Sequence, residues 1–162
     1  MIVERMAAHR RRPGTSGVHR EELEVRTCAC LEFVDVTDAV AAAVERSGIT
    51  DGLVSVQSLH TTAAVVVNED EPLLLEDLRA TLERAAPCQL AYRHDDFAVR
   101  TANLEPDEPA NGHAHCKALF LRASETLAVA EGRPRLGRWQ RVFLVELDRP
   151  RVRRLCLTVL GS

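Results

Sequence analysis

Four histidines, His60, His94, His113 and His115, stand in three separate stretches of the 162-residue chain: "LHTTAAVVVN", "YRHDD" and "NGHAHCKALFL". Three neutral imidazoles converging on one point make a divalent-metal site with an open position, and the same rings protonated, beside Lys117 or Arg122, suit a phosphate. If a helix runs from Gly112, His113 and His115 lie about 160° apart around it and cannot share one ion. The metal set read from the sequence is therefore His60, His94 and His115, holding zinc or a similar ion. His113 falls on the other edge, about 40° from Lys117, where it can help with a phosphate. Taken singly, a histidine near a strand end is ordinarily a hydrogen-bonded packing residue. Recurrence in three segments is what points to a site.

Lys117 is the only lysine in a chain with 20 arginines. A site that needs a compact ammonium, or a lysine whose pKa can shift, resists the arginine used everywhere else. Five cysteines, at 28, 30, 88, 116 and 156, are an odd number without CxxC spacing, so reduced thiols are expected. "CAC" at 28–30 puts two thiols on one face of a strand, where packing is the ordinary use and a metal the alternative.

The elements that must position these residues follow from hydrophobic period. Leu23, Val25, Thr27, Ala29, Leu31 and Phe33 alternate with polar neighbours and predict one half-buried strand. "VTDAVAAAVERSG" predicts a helix capped by Thr37 and ended by Gly48. "LVSVQSL" predicts a strand whose continuation would put His60 and Thr62 on one face and Thr61 on the other. "AAVVVN" at 63–68 is apolar on both parities, as in a central strand covered on both sides. "EPLLLEDLRATLERAAP" predicts a helix with Pro72 in its first turn and Leu74, Leu78, Leu82 and Ala85 on one stripe. Residues 88–112 lose periodicity and predict a long loop, after which Asn111 caps a helix through "GHAHCKALFLRA". That helix is apolar nearly all round, which predicts burial, plausibly by a neighbouring subunit. Gly132, Gly137 and "RP" at 149–150 mark turns between three closing antiparallel strands. Strands and helices are mixed without regular alternation, which defines an α+β class, a single compact domain of mainly antiparallel sheet with helices packed on it.

Composition bounds the rest. The first 20 residues carry five arginines and one glutamate, a local +4, and predict a disordered basic tail over 1–19 before a domain at 20–162. Removing +4 from the overall −3 leaves −7, which speaks against a nucleic-acid face on the domain. No apolar run reaches the roughly 20 residues of a membrane span, and no apolar block follows the basic start as a secretory signal requires, so a cytoplasmic protein is expected.

"HTTAAVVVNEDEP", "YRHDD", "NGHAHCKALFL" and "SETLAVAEGRPRLGRWQRVFLVELDRPR" resemble, in order and spacing, the YjbQ family of small proteins over about residues 20–161. Arg138 departs from the family's threonine in the signature run from Ser124 to Gln140. The resemblance implies a compact α+β fold, a homotrimer and a secondary, weak thiamine-phosphate-synthase activity. Such a reaction joins a pyrimidine diphosphate to a thiazole phosphate and needs a cation and hydrogen-bond donors at the departing diphosphate. His60 and His115 are then the candidate catalytic residues, with Thr61, Thr62, Asn111, His113 and Lys117 holding substrate. The alternative is a trimeric metal- or phosphometabolite-binding protein without dedicated catalysis, because magnesium, the usual partner of diphosphates, prefers oxygen ligands to imidazole.

Overall fold

The computed structural model describes residues 3–8 and 17–162. Among the described residues nine strands form two antiparallel sheets. The larger has the order β1 (Val3–Ala8), β2 (Gly17–Arg26), β9 (Val152–Gly161), β4 (Gly52–Ser58), β6 (Ser124–Ala130), β7 (Arg133–Pro134). The smaller has the order β3 (Phe33–Asp35), β8 (Gln140–Glu146), β5 (Ala63–Glu69). β2 pairs with β9 along its whole length, from Gly17 opposite Gly161 to Arg26 opposite Val152. The sheet therefore extends beyond the boundary expected at residue 20: β2 starts at Gly17, and Val3–Ala8 pairs with it as β1. Of the expected tail, residues 1, 2 and 9–16 lie outside the described residues.

β8 explains the layering. Val142 and Leu144 join a core shared with α1 (Thr37–Ser47) and the large sheet, while Phe143 and Val145 join a second core with Leu75, Leu82 and Ala114 of α2 (Pro72–Ala85) and α3 (Gly112–Ala118). A strand apolar on both parities is one covered on both faces. Each such fully buried side chain contributes roughly 1.5–3 kcal/mol of transfer free energy. β5 is covered on both faces too, but it lies at the edge of the small sheet rather than at its centre.

Three local outcomes differ from the sequence reading. The strand expected through Phe33 stops at Arg26, because the Glu32 carboxylate accepts the backbone N–H groups of Cys28 and Ala29 and Leu31 turns to a φ of 54°. Thr37 does not cap α1. Its hydroxyl accepts the N–H of Val142 at 2.8 Å, tying the helix to β8, and Asp35 accepts the N–H of Thr37 at 2.8 Å instead. The closing strands β6, β8 and β9 do not pair in succession: β6 and β9 flank β4, while β8 crosses to the other sheet. Two helix ends hold as expected, with Gly48 left-handed at φ 68° after α1 and Pro72 opening α2, whereas α3 stops at Ala118 instead of running on through residues 119–123.

Candidate functional site

His60 sits where β4 has ended and β5 has not begun. A tight turn carries it, and Thr62 fixes that turn: its carbonyl and its hydroxyl each accept from Arg153 Nη2 at 3.1 Å. Arg153 is paired with Glu146, its Nε donating to Oε2 at 2.7 Å, and both side chains are buried. Removing either partner would leave a buried charge uncompensated, at a cost of about 3–5 kcal/mol. Thr62 is thus committed to the scaffold, whereas Thr61 is exposed beside His60 on a cleft of about 390 Å³ that also meets Ala118 and Arg122.

His94 lies in a single turn of 3₁₀ helix, Arg93–Asp95, inside the long loop. Arg100 organises that loop. Its Nη1 donates to His94 Nε2 at 3.2 Å, to the His94 carbonyl at 3.3 Å and to Glu108 at 2.9 Å, and Nη2 reaches the Asn103 carbonyl. A concavity of about 510 Å³ opens between His94, Arg100 and Asn103. The His94 ring lies 4.6 Å from that of His115, centroid to centroid, at a 59° tilt. Asp95 then takes the capping role expected of Asn111, accepting the N–H groups of Asn111 at 3.0 Å and Gly112 at 2.9 Å. Gly112 permits this approach, since a Cβ there would stand 2.5 Å from Tyr92 Cβ. Freed from capping, Asn111 buries its Oδ1 without a hydrogen-bond partner among the described residues. A buried acceptor in that state is free to take a donor from water or a ligand.

Lys117 is not at the site. Its side chain is fully buried, and Nζ contacts the Ala86 carbonyl at 2.6 Å, Glu83 at 3.0 Å, His113 Nδ1 at 3.3 Å and Cys88 Sγ at 3.5 Å. This cage joins α3 to the end of α2, and only a compact ammonium fits it. The lone lysine is therefore a structural cation, which no substrate phosphate reaches. Nor are the nearby thiols prepared as nucleophiles: burial pushes Cys30 up to about 11, and burial with Glu83 raises Cys88. All five cysteines are free thiols.

The chemistry open to the histidines follows from which nitrogen each has already used. His60 Nε2 accepts the backbone N–H of Arg154 at 2.7 Å. His94 Nε2 faces the guanidinium of Arg100 and His113 Nδ1 faces the ammonium of Lys117, groups that can only donate. A neutral imidazole has one lone pair, so in that form each of these rings carries its proton on the other nitrogen, as an N–H donor. His115 has no ring-nitrogen partner among the described residues. Burial, aided by Arg153 and Arg154 at His60, by Lys117 at His113 and by His94 and Arg100 at His115, holds all three below the usual histidine range.

This donor set does not fit a metal. His60 Nε2 and His94 Nε2 both face donors, which occupies the lone pair that a neutral ring would offer a divalent ion. Among the described residues no group of three or more His, Cys, Asp or Glu side chains is placed to hold an ion. The expected protonated clamp is not favoured at His60, His113 and His115 either, since burial, and then nearby cations, disfavour their charged forms. What these three rings offer is N–H donation close to arginine and lysine charges.

Sequence reasoning marked the turn between β8 and β9 but did not count its arginines among the site residues. Arg149 and Arg151 converge there on Asp148, which acts electrostatically on both His113 and His115, while Arg151 and Arg153 act on His60. Four arginines in six residues, "RPRVRR", was the available signal. Arg138, by contrast, stacks its guanidinium 4.4 Å from the Trp139 ring centroid. Its loop leads into Gln140 opposite Glu69, whereas the His60 turn adjoins Ala63 opposite Glu146, so the two lie at opposite ends of the small sheet.

A family model of UPF0047 protein YjbQ-like chains matches residues 21–162. A UPF0047 protein of Methanothermobacter thermautotrophicus is 36% identical over 145 residues, covering 90% of this chain and 94% of that protein. One from Archaeoglobus fulgidus is 38% identical over 139 residues, covering 86% and 99%. Among solved structures, a YbjQ-like protein of unknown function from Sulfolobus solfataricus is similar at a TM-score of 0.81 and 36% identity, covering 91% of this chain and 100% of that one. The chain belongs to the UPF0047 (YjbQ-like) family.

Proposed function

We propose that the chain binds a small phosphorylated metabolite and, as a secondary activity, joins a pyrimidine diphosphate to a thiazole phosphate. One observation carries this reading: His60, His94 and His113 each set one ring nitrogen against a fixed donor, which in a neutral ring leaves the N–H on the other nitrogen, in surroundings rich in arginine. Neutral donors held in place among cations suit the oxygens of phosphate, and cost no reorganisation as charge develops. In the synthesis the carbon–oxygen bond to the diphosphate breaks as the thiazole nitrogen forms its bond to the same carbon. Charge accumulates on the departing diphosphate. His60 and His115 donate N–H to it, Thr61 adds a hydroxyl, and the buried Asn111 oxygen takes a donor of the ligand.

The working assembly is a homotrimer in the cytoplasm, a reading supported by the apolar end of α3, where Leu119 is 84% and Phe120 63% exposed. Among the described residues no helix is long and apolar enough to cross a membrane. A second reading, binding without dedicated catalysis, is favoured by the sealed Lys117, whose compact ammonium is withdrawn from any departing diphosphate. Formation of thiamine phosphate from the two halves separates them. Slow turnover, reduced at least about tenfold by His60→Ala and His115→Ala, supports the enzyme, on the scale of losing one oxyanion donor; tight binding of the diphosphate half with no product supports the binder.

A further inference from the structure

Arg149 and Arg151 flank Pro150 in the short connection from β8 to β9. Both guanidinium groups point at one oxygen, Asp148 Oδ2, at 2.9 and 3.5 Å. Asp148 is nearly buried, and the neighbouring carboxylate, Glu146, is already occupied by Arg153. Three guanidinium groups thus face two carboxylates, and the turn carries one positive charge in excess. The excess is accessible: the side chains of Arg149 and Arg151 keep 39% and 33% of their exposure. The backbone behind them is rigid, since Thr27 N donates to the Arg151 carbonyl at 3.0 Å and Arg151 N to the Thr27 hydroxyl at 3.0 Å. Burial, and then crowding by Arg149 and Arg153, depresses the Arg151 guanidinium, against the pull of Asp148 and Glu146.

The same turn adjoins the one that carries His60: Leu147 N, just before Asp148, donates to the Thr62 carbonyl at 3.2 Å, and Arg154 N, three residues beyond Arg151, donates to His60 Nε2 at 2.7 Å. We propose that Arg149 and Arg151 are the phosphate-holding pair of the site, two forks that grip a phosphate or diphosphate while the histidine N–H groups meet it from the other side. The inference rests on the phosphometabolite reading given above. It moves the phosphate-binding role from Lys117, which is sealed, to a pair that is exposed, preorganised and short of anions. Two guanidinium forks match phosphate oxygens in a way that a single ammonium does not.

The test is calorimetric titration of the full chain with inorganic pyrophosphate, and in parallel with inorganic phosphate, at fixed ionic strength. Arg149→Gln and Arg151→Gln are each expected to weaken pyrophosphate binding about tenfold or more, the scale of one charge-assisted contact. Arg154→Gln removes the same charge from a neighbour outside the pair, which lies 3.8 Å from Glu22, and is expected to change it less than about threefold. Arg149→Lys and Arg151→Lys keep the charge but lose the fork. They are expected to fall between, and they serve if the glutamine variants melt early. Folded Arg149 and Arg151 variants that bind like wild type, while His115→Ala loses binding, overturn the arginine pair and leave the histidine site standing. A wild-type chain that binds neither anion at millimolar concentration overturns both.

Discussion

At the scale of single residues, one hydrogen bond decides what His60 can do. Accepting the Arg154 amide through Nε2 removes it from the pool of metal ligands and makes it a donor. Its pKa, with those of His113 and His115, is held below the ordinary value of about 6.5. A histidine depressed in the folded state binds protons more readily when unfolded, so stability rises with pH across that window. The contribution is complete above about pH 6.5 and is lost as pH falls from there toward the folded values. Thermal melts should therefore decline between pH 7.5 and 5.5, and His113→Gln should flatten the decline; a wild-type melting temperature unchanged over that range contradicts the assignment. Lys117 is the residue whose importance was legible and whose task was not. Its uniqueness shows in the sequence, but the cage that swallows it is built from Glu83, Ala86 and Cys88, distant in the chain. Lys117→Met should cost about 3 kcal/mol in denaturant unfolding, the scale of breaking a buried charge pair on one side, discounted because Glu83 is partly exposed.

Elements were legible wherever local chemistry set them. The alanine-rich helix ending at Gly48, the Pro72 helix start and the turn at Gly132 all rest on backbone preferences of single residues. What the sequence hid was the break after Arg26, since Ala29, Leu31 and Phe33 keep the alternation going and no glycine or proline interrupts it. A carboxylate folding back onto two amides does the interrupting, and such contacts have no periodic signature. The sheet exchange of β8 was equally silent, because strand partners are a non-local matter. One element still carries strain open to repair. Glu131 and Gly132 link β6 to β7 as a two-residue turn with φ of 55° and 71°, and glutamate is a poor occupant of the first position. Glu131→Asn should raise stability by roughly 0.5–1 kcal/mol, read as a higher melting midpoint; no gain would mean that Glu131 has contacts worth as much as the relieved strain.

For the whole molecule, the family and fold were legible in four motifs, while the histidine site was legible only as a list of members. The rings of His94 and His115, two of the three metal ligands expected from the sequence, lie side by side, while helical phase says nothing of the turn that aims His60 at the Arg154 amide. Assembly is the next level. A homotrimer should scatter as about 54 kDa, three times the 17.9 kDa chain, and Phe120→Glu should dissociate it; a monodisperse 17.9 kDa species at micromolar concentration excludes it. The claim on which the rest depends is that the histidines act as neutral donors to an anion and not as metal ligands. It is tested most directly by pyrophosphate binding to protein stripped of divalent metal with a chelator and then freed of the chelator. The account predicts that the stripped wild-type chain binds as the untreated chain does and that His60→Ala and His115→Ala, folded, lose most of that affinity. Binding that disappears on stripping and returns only with zinc, or that survives loss of both histidines, would contradict it.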